Sequence, residues 1–343
     1  MLYGGITWTA TGYEICVIDG DTGEKVDRER FQAADILRMF DYVSGLREVH
    51  RRPVSMIIDS SNGMVDGTMT AAGLDVYRAD PWLLPAASAL GSADAPALAQ
   101  SARRDLPKLA RLDSRHGTLT GRLDELDAGI EEARRAETEL TAAGHCVSHG
   151  GRDRRQIALT FDDGPHPLFT GRVLEILRHY DVPATFFCVG LHASGHPELI
   201  ARMSDAGHLL GNHTWSHPFL PDLTKDQIAG QIAHTARHLP SGREGAPALF
   251  RPPYGSRTSA ILSWLVDLET TTVLWDVEPF DWAMPGTDVI VGRVLAEARA
   301  GSIVLLHDGG GDRSQTVAAL PRIIEGLLDQ DYRLVTIDAL TRP

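Results

Sequence analysis

The chain has 343 residues, 43% hydrophobic and 23% charged, with a formal net charge of −13; that length allows two domains with cores of their own. No stretch approaches the roughly 18 apolar residues of a membrane span, and the surplus of negative charge disfavours general electrostatic binding to nucleic acid or an anionic membrane. Cys16, Cys146 and Cys188 are widely spaced without a CxxC, which argues against a disulfide framework and a cysteine zinc site, while residues 1–8 lack a basic region leading into an apolar core, so a cytoplasmic protein is expected.

Residues 1–85 read as a separate α/β unit, with strands near 2–8, 12–19, 54–59 and 74–78 and a helix over 33–46. Residues 86–150 read as a helical linker region. Within it Leu109, Leu112, His116, Leu119, Leu123, Leu126, Ile130, Ala133, Glu137 and Leu140 step along in threes and fours, a heptad seam weakened by Gly117, Gly121 and Gly129. Such a seam packs on its own chain as a broken hairpin or pairs with a second copy, so a homodimer through 109–140 is one expectation. Residues 144–155 then serve as a linker. From 151 to 343, strand-like runs at 157–161, 184–189, 208–212, 248–252, 272–277, 302–306 and 333–337 alternate with helix-like segments. This alternation implies parallel strands in a barrel or a doubly wound sheet. Polar residues following most of the strands favour the barrel, whose pocket is ringed by strand ends.

The run Thr160-Phe161-Asp162-Asp163-Gly164-Pro165 leaves two carboxylates at the tip of an apolar strand. A sharp turn there can aim both at one pocket, so that one binds a cation and the other handles a proton, although a surface turn would use the same residues. Among 14 histidines the i, i+4 spacing recurs at His145/His149, His192/His196, His213/His217 and His234/His238, so spacing alone selects none of them. The first pair lies in a glycine-rich linker, the last in a helix without an acidic motif, and the second in a loop without a third ligand. His213/His217 follow a strand and turn that deliver them to the same end as the Asp pair, giving a two-His, one-Asp set. Three protein ligands leave a position open for water, the arrangement of a hydrolytic site. Zn²⁺ suits these ligands best, with Co²⁺, Ni²⁺ or Mn²⁺ as alternatives. Later strand ends add Arg251-Pro252-Pro253-Tyr254-Gly255, Asp281-Trp282 and Leu305-Leu306-His307.

In these five segments, taken in order over about 155–340, the sequence resembles the polysaccharide deacetylase family, the NodB-like carbohydrate esterases of family 4. The resemblance implies a (β/α)₇ distorted TIM-like barrel and a metal-dependent N-deacetylase. It implies Asp163, His213 and His217 as metal ligands, Asp162 as the base that deprotonates the attacking water, and His307 as the acid that protonates the departing amine. Arg251 would orient Asp162, Asp281 would raise the pKa of His307, and Tyr254 would offer its backbone N–H to the oxyanion; Trp282, Leu305 and Pro253 would line the substrate slot. One departure is Glu278, where the family often carries Asp. More weakly, residues 1–100 resemble the RuvC/RNase H-like domain of insertion-sequence transposases, on Gly5-Ile6-Thr7-Trp8 and the run from Val54 to Gly63. Thr7 stands where that family has Asp, and Asp59 is the one remnant of its carboxylates, so a non-catalytic domain is expected.

The sequence therefore reads as a hydrolase that removes an N-acetyl group from an amino sugar or a sugar-containing metabolite, with an N-acetylated carbohydrate as partner and neither nucleic acid nor membrane. A hydrolase of another C–N bond, such as a cyclic amide or ureide, is the alternative on the same barrel. A nucleic-acid-binding or scaffold protein led by the N-terminal domain is the alternative from another class.

Overall fold

Two sheets organise the chain. The computed structural model describes residues 1–9, 11–59, 64–79, 83–85, 92–112, 123–240 and 248–342. In the first sheet β1 (Leu2–Trp8), β2 (Gly12–Asp19) and β3 (Lys25–Gln32) form an antiparallel meander. After α1 (Ile36–His50), β4 (Val54–Ile58) joins β1 in parallel; after α2 (Met64–Ala71), β5 (Asp75–Arg78) joins β4 in parallel. Helix α3 (Ala95–Asp105) leads into β6 (Ala110–Arg111), antiparallel to β5, and the order is β3-β2-β1-β4-β5-β6. Successive side chains of a strand point to opposite faces, and both faces of β2 are covered. Ile15 and Val17 meet Ile36, Met39 and Val43 of α1, while Cys16 and Ile18 meet Ala95 and Ala99 of α3.

Strand β3 is absent from the sequence reading because Lys25-Val26-Asp27-Arg28-Glu29-Arg30 carries one apolar residue in six. It is a sheet edge, and its Arg28 and Arg30 pair with the buried Glu14 of β2 at 2.6 and 2.5 Å. The N-terminal unit also runs further than residue 85, since α3 and β6 complete it and bury Leu98, Leu109 and Leu112. The expected seam over 109–140 is thus not one helix. Leu109 and Leu112 belong to the first sheet, His116 and Leu119 lie outside the described residues, and helix α4 spans Leu123–Ala142. Helix α4 packs on its own chain. Ala133 is fully buried, Glu137 pairs with Arg257 at 2.8 Å, and Glu132 accepts a hydrogen bond from the Ser259 N–H at 2.8 Å. That face of the seam is therefore occupied within one molecule.

The second sheet begins at β7 (Cys146–Val147), inside the segment read as linker. It continues with β8 (Gln156–Asp162), β9 (Thr185–Cys188), β10 (Leu209–Asn212), β11 (Ala248–Phe250), β12 (Thr270–Val273), β13 (Ile303–His307) and β14 (Arg333–Leu334). The helices between them are α5 (Thr170–His179), α6 (Gly190–Gly195), α7 (Pro197–Asp205), α8 (Lys225–Ala236), α9 (Ser259–Asp267), α10 (Thr287–Glu297) and α11 (Ser314–Asp329), with α12 (Ile337–Leu340) last. All seven expected strands are present and every ladder is parallel, in the order β13-β8-β9-β10-β11-β12-β7 with β14 on β8. Strand β8 is an interior strand between β13 and β9, buried from Ile157 to Asp162, as a parallel strand covered on both faces should be.

The sheet curls but does not close into a full barrel. Its two edges meet through single bridges, His149 to Ser302 and Val277 to Val304. Between them the Asp276 carboxylate accepts hydrogen bonds from the Ile303 N–H at 2.8 Å and the Ser302 hydroxyl at 3.1 Å, so a side chain fills positions a ladder would have used. Helices α5, α10 and α11 cover one side with Val173, Leu177, Ile290, Val294, Leu320, Ile323 and Ile324, all fully buried.

Candidate active site

Five of the turns that follow strands β8, β10, β11, β12 and β13 carry the residues singled out in the sequence. Asp162 ends β8 and Asp163 adopts a left-handed conformation with φ 73°, which turns its carboxylate to the side Asp162 already faces. Thr214 (φ 67°), His217 (φ 57°) and Tyr254 (φ 60°) are left-handed as well. Non-glycine residues held this way cost about 1–3 kcal/mol each and persist where the surroundings over-determine them. Gly310 closes tightly on this turn: a Cβ there would collide with the Asp163 carboxylate.

Asp163 Oδ1 lies 3.1 Å from His217 Nε2 and 3.4 Å from His213 Nε2, and all three residues are buried. That oxygen has no hydrogen-bond partner. His213 Nδ1 is 2.7 Å from the Arg251 carbonyl oxygen. It therefore donates, which leaves Nε2 to face Asp163 and, once it has lost its proton, to offer the lone pair a metal ligand needs. Burial alone would raise the Asp163 pKa; the His217 and His213 imidazoles overcome it and hold the carboxyl well below its usual range. The three donor atoms fall within 4.8 Å of one another, and among the described residues no other group of three such side chains does so. An unpaired buried carboxylate oxygen facing two imidazole nitrogens fits a divalent cation.

Asp162 stands on the other side of His213, with Oδ2 at 3.7 Å from Nε2. Its Oδ1 accepts a hydrogen bond from Arg251 at 2.7 Å. Arg251 is fully buried and donates also to the Thr160 hydroxyl at 2.8 Å and to the carbonyls of Val273 and Leu274 at 3.1 and 3.2 Å. Its guanidinium lies 4.1 Å from the centre of the Phe187 ring. So fixed, it can hold the Asp162 carboxylate in one orientation.

His307 ends β13, and its Nδ1 is 2.7 Å from Asp281 Oδ1. The other carboxylate oxygen accepts from the His307 backbone N–H at 2.9 Å and the Thr316 hydroxyl at 2.8 Å. Burial would lower the His307 pKa, but the Asp281 charge and hydrogen bond prevail and bring it to about 9. Nε2 remains to face the site. Leu305 lies on the same face of β13 and is buried, as is Pro253. Trp282 stands at the rim, 39% exposed, with its indole N–H donating to Glu278. Glu278, the departure from the family pattern, also accepts from the Trp275 indole at 3.0 Å. The Tyr254 ring packs edge-on against His217 at 4.5 Å.

The other histidine pairs do not join this set as ligands. His192 is buried and donates from Nδ1 to the Asp163 carbonyl at 2.8 Å; burial lowers its pKa to about 4, so it stays neutral. His234 and His238 pack on the Trp215 ring. Thr160, Thr316 and His192 were missed as supporting residues, since only tertiary placement gives them partners. In the N-terminal domain Asp59 accepts hydrogen bonds from the Ala93 N–H at 2.6 Å and the Ser92 hydroxyl at 3.3 Å, and Ser92 contacts Thr7 at 2.7 Å. Its carboxylate is engaged by its own chain.

A family model described as polysaccharide deacetylase matches residues 149–273. A peptidoglycan-N-acetylglucosamine deacetylase of Bacillus cereus is 40% identical over 206 residues, 60% of this chain and 96% of that protein. The chain belongs to the polysaccharide deacetylase family. A chitooligosaccharide deacetylase of Sinorhizobium fredii is likewise 40% identical, over 54% of this chain and 92% of its own. The Bc1960 peptidoglycan N-acetylglucosamine deacetylase, a solved structure 33% identical, superposes with a TM-score of 0.55 over 59% of this chain and 95% of that one. A Bacillus anthracis protein described as a carbohydrate esterase family 4 pseudoenzyme, 30% identical, gives 0.53 over 57% of this chain and 69% of its own. Membership in this deacetylase family matches the reaction class expected from the sequence, hydrolysis of an N-acetyl amide. The matched family segment ends before Asp281, Trp282, Leu305 and His307, so those residues rest on the geometry above. It begins after the N-terminal domain, whose likeness to RNase H-like domains remains a sequence resemblance.

Proposed function

We propose that this polysaccharide deacetylase family member removes the acetyl group from N-acetylglucosamine units of an oligosaccharide or glycan, using a divalent cation, Zn²⁺ by preference, held by Asp163, His213 and His217. A family neighbour described as a pseudoenzyme means that the fold alone does not guarantee turnover. The reading is carried instead by one juxtaposition: the Asp163, His213 and His217 donors stand beside an arginine-held Asp162, with an aspartate-held His307 on the adjacent strand. A cation there would lower the pKa of water and polarise the amide carbonyl. Asp162 accepts the proton from the attacking water, the C–N bond breaks, and His307 delivers a proton to the departing amine, leaving acetate and a free amino sugar. Trp282 and Leu305 bound the space for the acetyl methyl.

The His307 assignment sets a pH dependence. An acid whose pKa is raised works below that pKa and fails above it, so kcat should fall along an alkaline limb. Asp163 adds a smaller upward push on His307 that a bound cation would offset, which places the limb between the ordinary imidazole range and about 9. Asp281→Asn removes the main upward push and should move the limb down. A limb unmoved in that variant would take His307 out of the acid role.

The substrate is tested by acetate release from N-acetylglucosamine, chitooligosaccharides of increasing length, peptidoglycan fragments and nucleotide-linked N-acetylglucosamine. Oligosaccharides should release acetate. Absence of release from every compound, with cation bound, would overturn the substrate class.

A further inference from the structure

The loop that supplies His213 and His217 is tied on one side to helix α6. The N–H groups of Gly190 and Leu191 donate to the carbonyls of Thr214 and Trp215 at 2.9 and 3.0 Å. The same helix carries His192, which donates to the carbonyl of Asp163. One short helix therefore contacts the backbone of both ligand-bearing segments, the Asp163 turn and the His213–His217 loop. Helix α6 is in turn clamped by the N-terminal domain. Leu191 and Val189 are part of the core that also contains Trp8, Tyr13, Phe31 and Ala33, and a Cβ on Gly195 would strike the backbone of Ala33 and Ala34 within 2.8 Å. Trp215, between the two histidine ligands, belongs to that same core, is fully buried, and donates its indole N–H to the carbonyl of Thr9 at 3.1 Å.

We infer that the N-terminal domain is a working part of the metal site: through Trp215 and helix α6 it positions the loop and turn that present Asp163, His213 and His217. The inference rests on the metal reading given above. Two features support it independently of any bound ion, the strain of the loop and the burial of Trp215. The loop holds two left-handed non-glycine residues, Thr214 and His217, so it needs outside support to keep its shape. The barrel supplies part of that support, since the Gln231 side chain accepts from the Trp215 and Ser216 N–H groups at 2.6 and 2.9 Å. The N-terminal domain adds to it, because the Trp215 ring shares a core with Trp8, Tyr13 and Phe31 and its indole N–H is held by the Thr9 carbonyl.

Trp215 and Gly195 are positioning residues on this account, and neither is a ligand. Trp215→Phe keeps a ring in the core and removes the donor to Thr9; Gly195→Val wedges α6 away from Ala33. The full-length variants are purified metal-free and their Zn²⁺ affinity is measured by competition with a chromophoric chelator, alongside melting curves that report folding. Each variant should bind Zn²⁺ about tenfold more weakly while still melting cooperatively, in line with the roughly 10–100-fold cost of disturbing groups behind metal ligands. Deacetylation by each should return toward the wild-type kcat at saturating Zn²⁺. Affinity within twofold of wild type in folded Trp215→Phe would overturn the inference. Failure of the wild-type protein itself to bind Zn²⁺ would overturn the metal reading instead.

Discussion

His213→Ala should leave the protein folded and without detectable deacetylase activity at stoichiometric metal. His213 would give Nε2 to the proposed cation, in an orientation fixed by its Nδ1–H donating to the Arg251 carbonyl. Altering a group behind a metal ligand typically costs about 10–100-fold in affinity, so deleting the ligand itself should cost more than the upper end of that range. The remaining pair, Asp163 and His217, would hold a cation through two atoms. Metal content after dialysis, measured beside wild type, reads the effect directly. Full retention of metal would show that the cation binds elsewhere.

Asp162→Asn is the complementary case, because it should remove turnover and keep the metal. The carboxamide is nearly isosteric, and its oxygen can still accept from Arg251, now held at 2.7 Å by the carboxylate. What it lacks is the capacity to take a proton. General-base catalysis contributes about 10²–10⁴-fold, and kcat should fall by that amount with little change in KM. The substitution also leaves the fully buried Arg251 without its charged partner, and breaking a buried pair costs up to about 3–5 kcal/mol. A melting curve is therefore needed beside the kinetics. Loss of activity in a folded, metal-loaded variant supports the assignment; a kcat near wild type would mean that another group takes the proton.

The parts of this molecule that were legible in the sequence are those with a local signature. Strand β8 is a continuous apolar run ended by Asp-Asp-Gly-Pro, and it is a buried interior strand of the curled sheet as that pattern predicts. Strand β3 was missed because an edge needs few apolar residues, and charges on it pair with Glu14 across the ladder. The two-residue β7 and the six-residue α6 are too short to carry a period. The heptad seam located α4, which packs on its own chain as one of the two readings had it, but placed its start too early, because steps of three and four include Leu109 and Leu112 of the first sheet.

At the site, residues that act by chemical type could be named in advance, since paired carboxylates and spaced imidazoles are rare in that order. Residues that act by position could not. Thr160 and Thr316 contact Arg251 and Asp281 over 91 and 35 residues of chain; Thr160 stands in the Asp162 run, but nothing local marks its hydroxyl as a partner of Arg251, and nothing near Thr316 marks it at all. The same holds for Trp215, which reads as an ordinary aromatic until the Thr9 carbonyl is seen opposite its indole.

The central claim, amide hydrolysis at a cation held by Asp163, His213 and His217, is tested most directly by titrating Zn²⁺ into metal-free enzyme while following acetate release from a chitooligosaccharide. Activity should rise in proportion to added metal and stop rising at one equivalent per chain in the wild type, with no comparable rise in His213→Ala. Full activity without metal, or the same titration curve in both proteins, would contradict it.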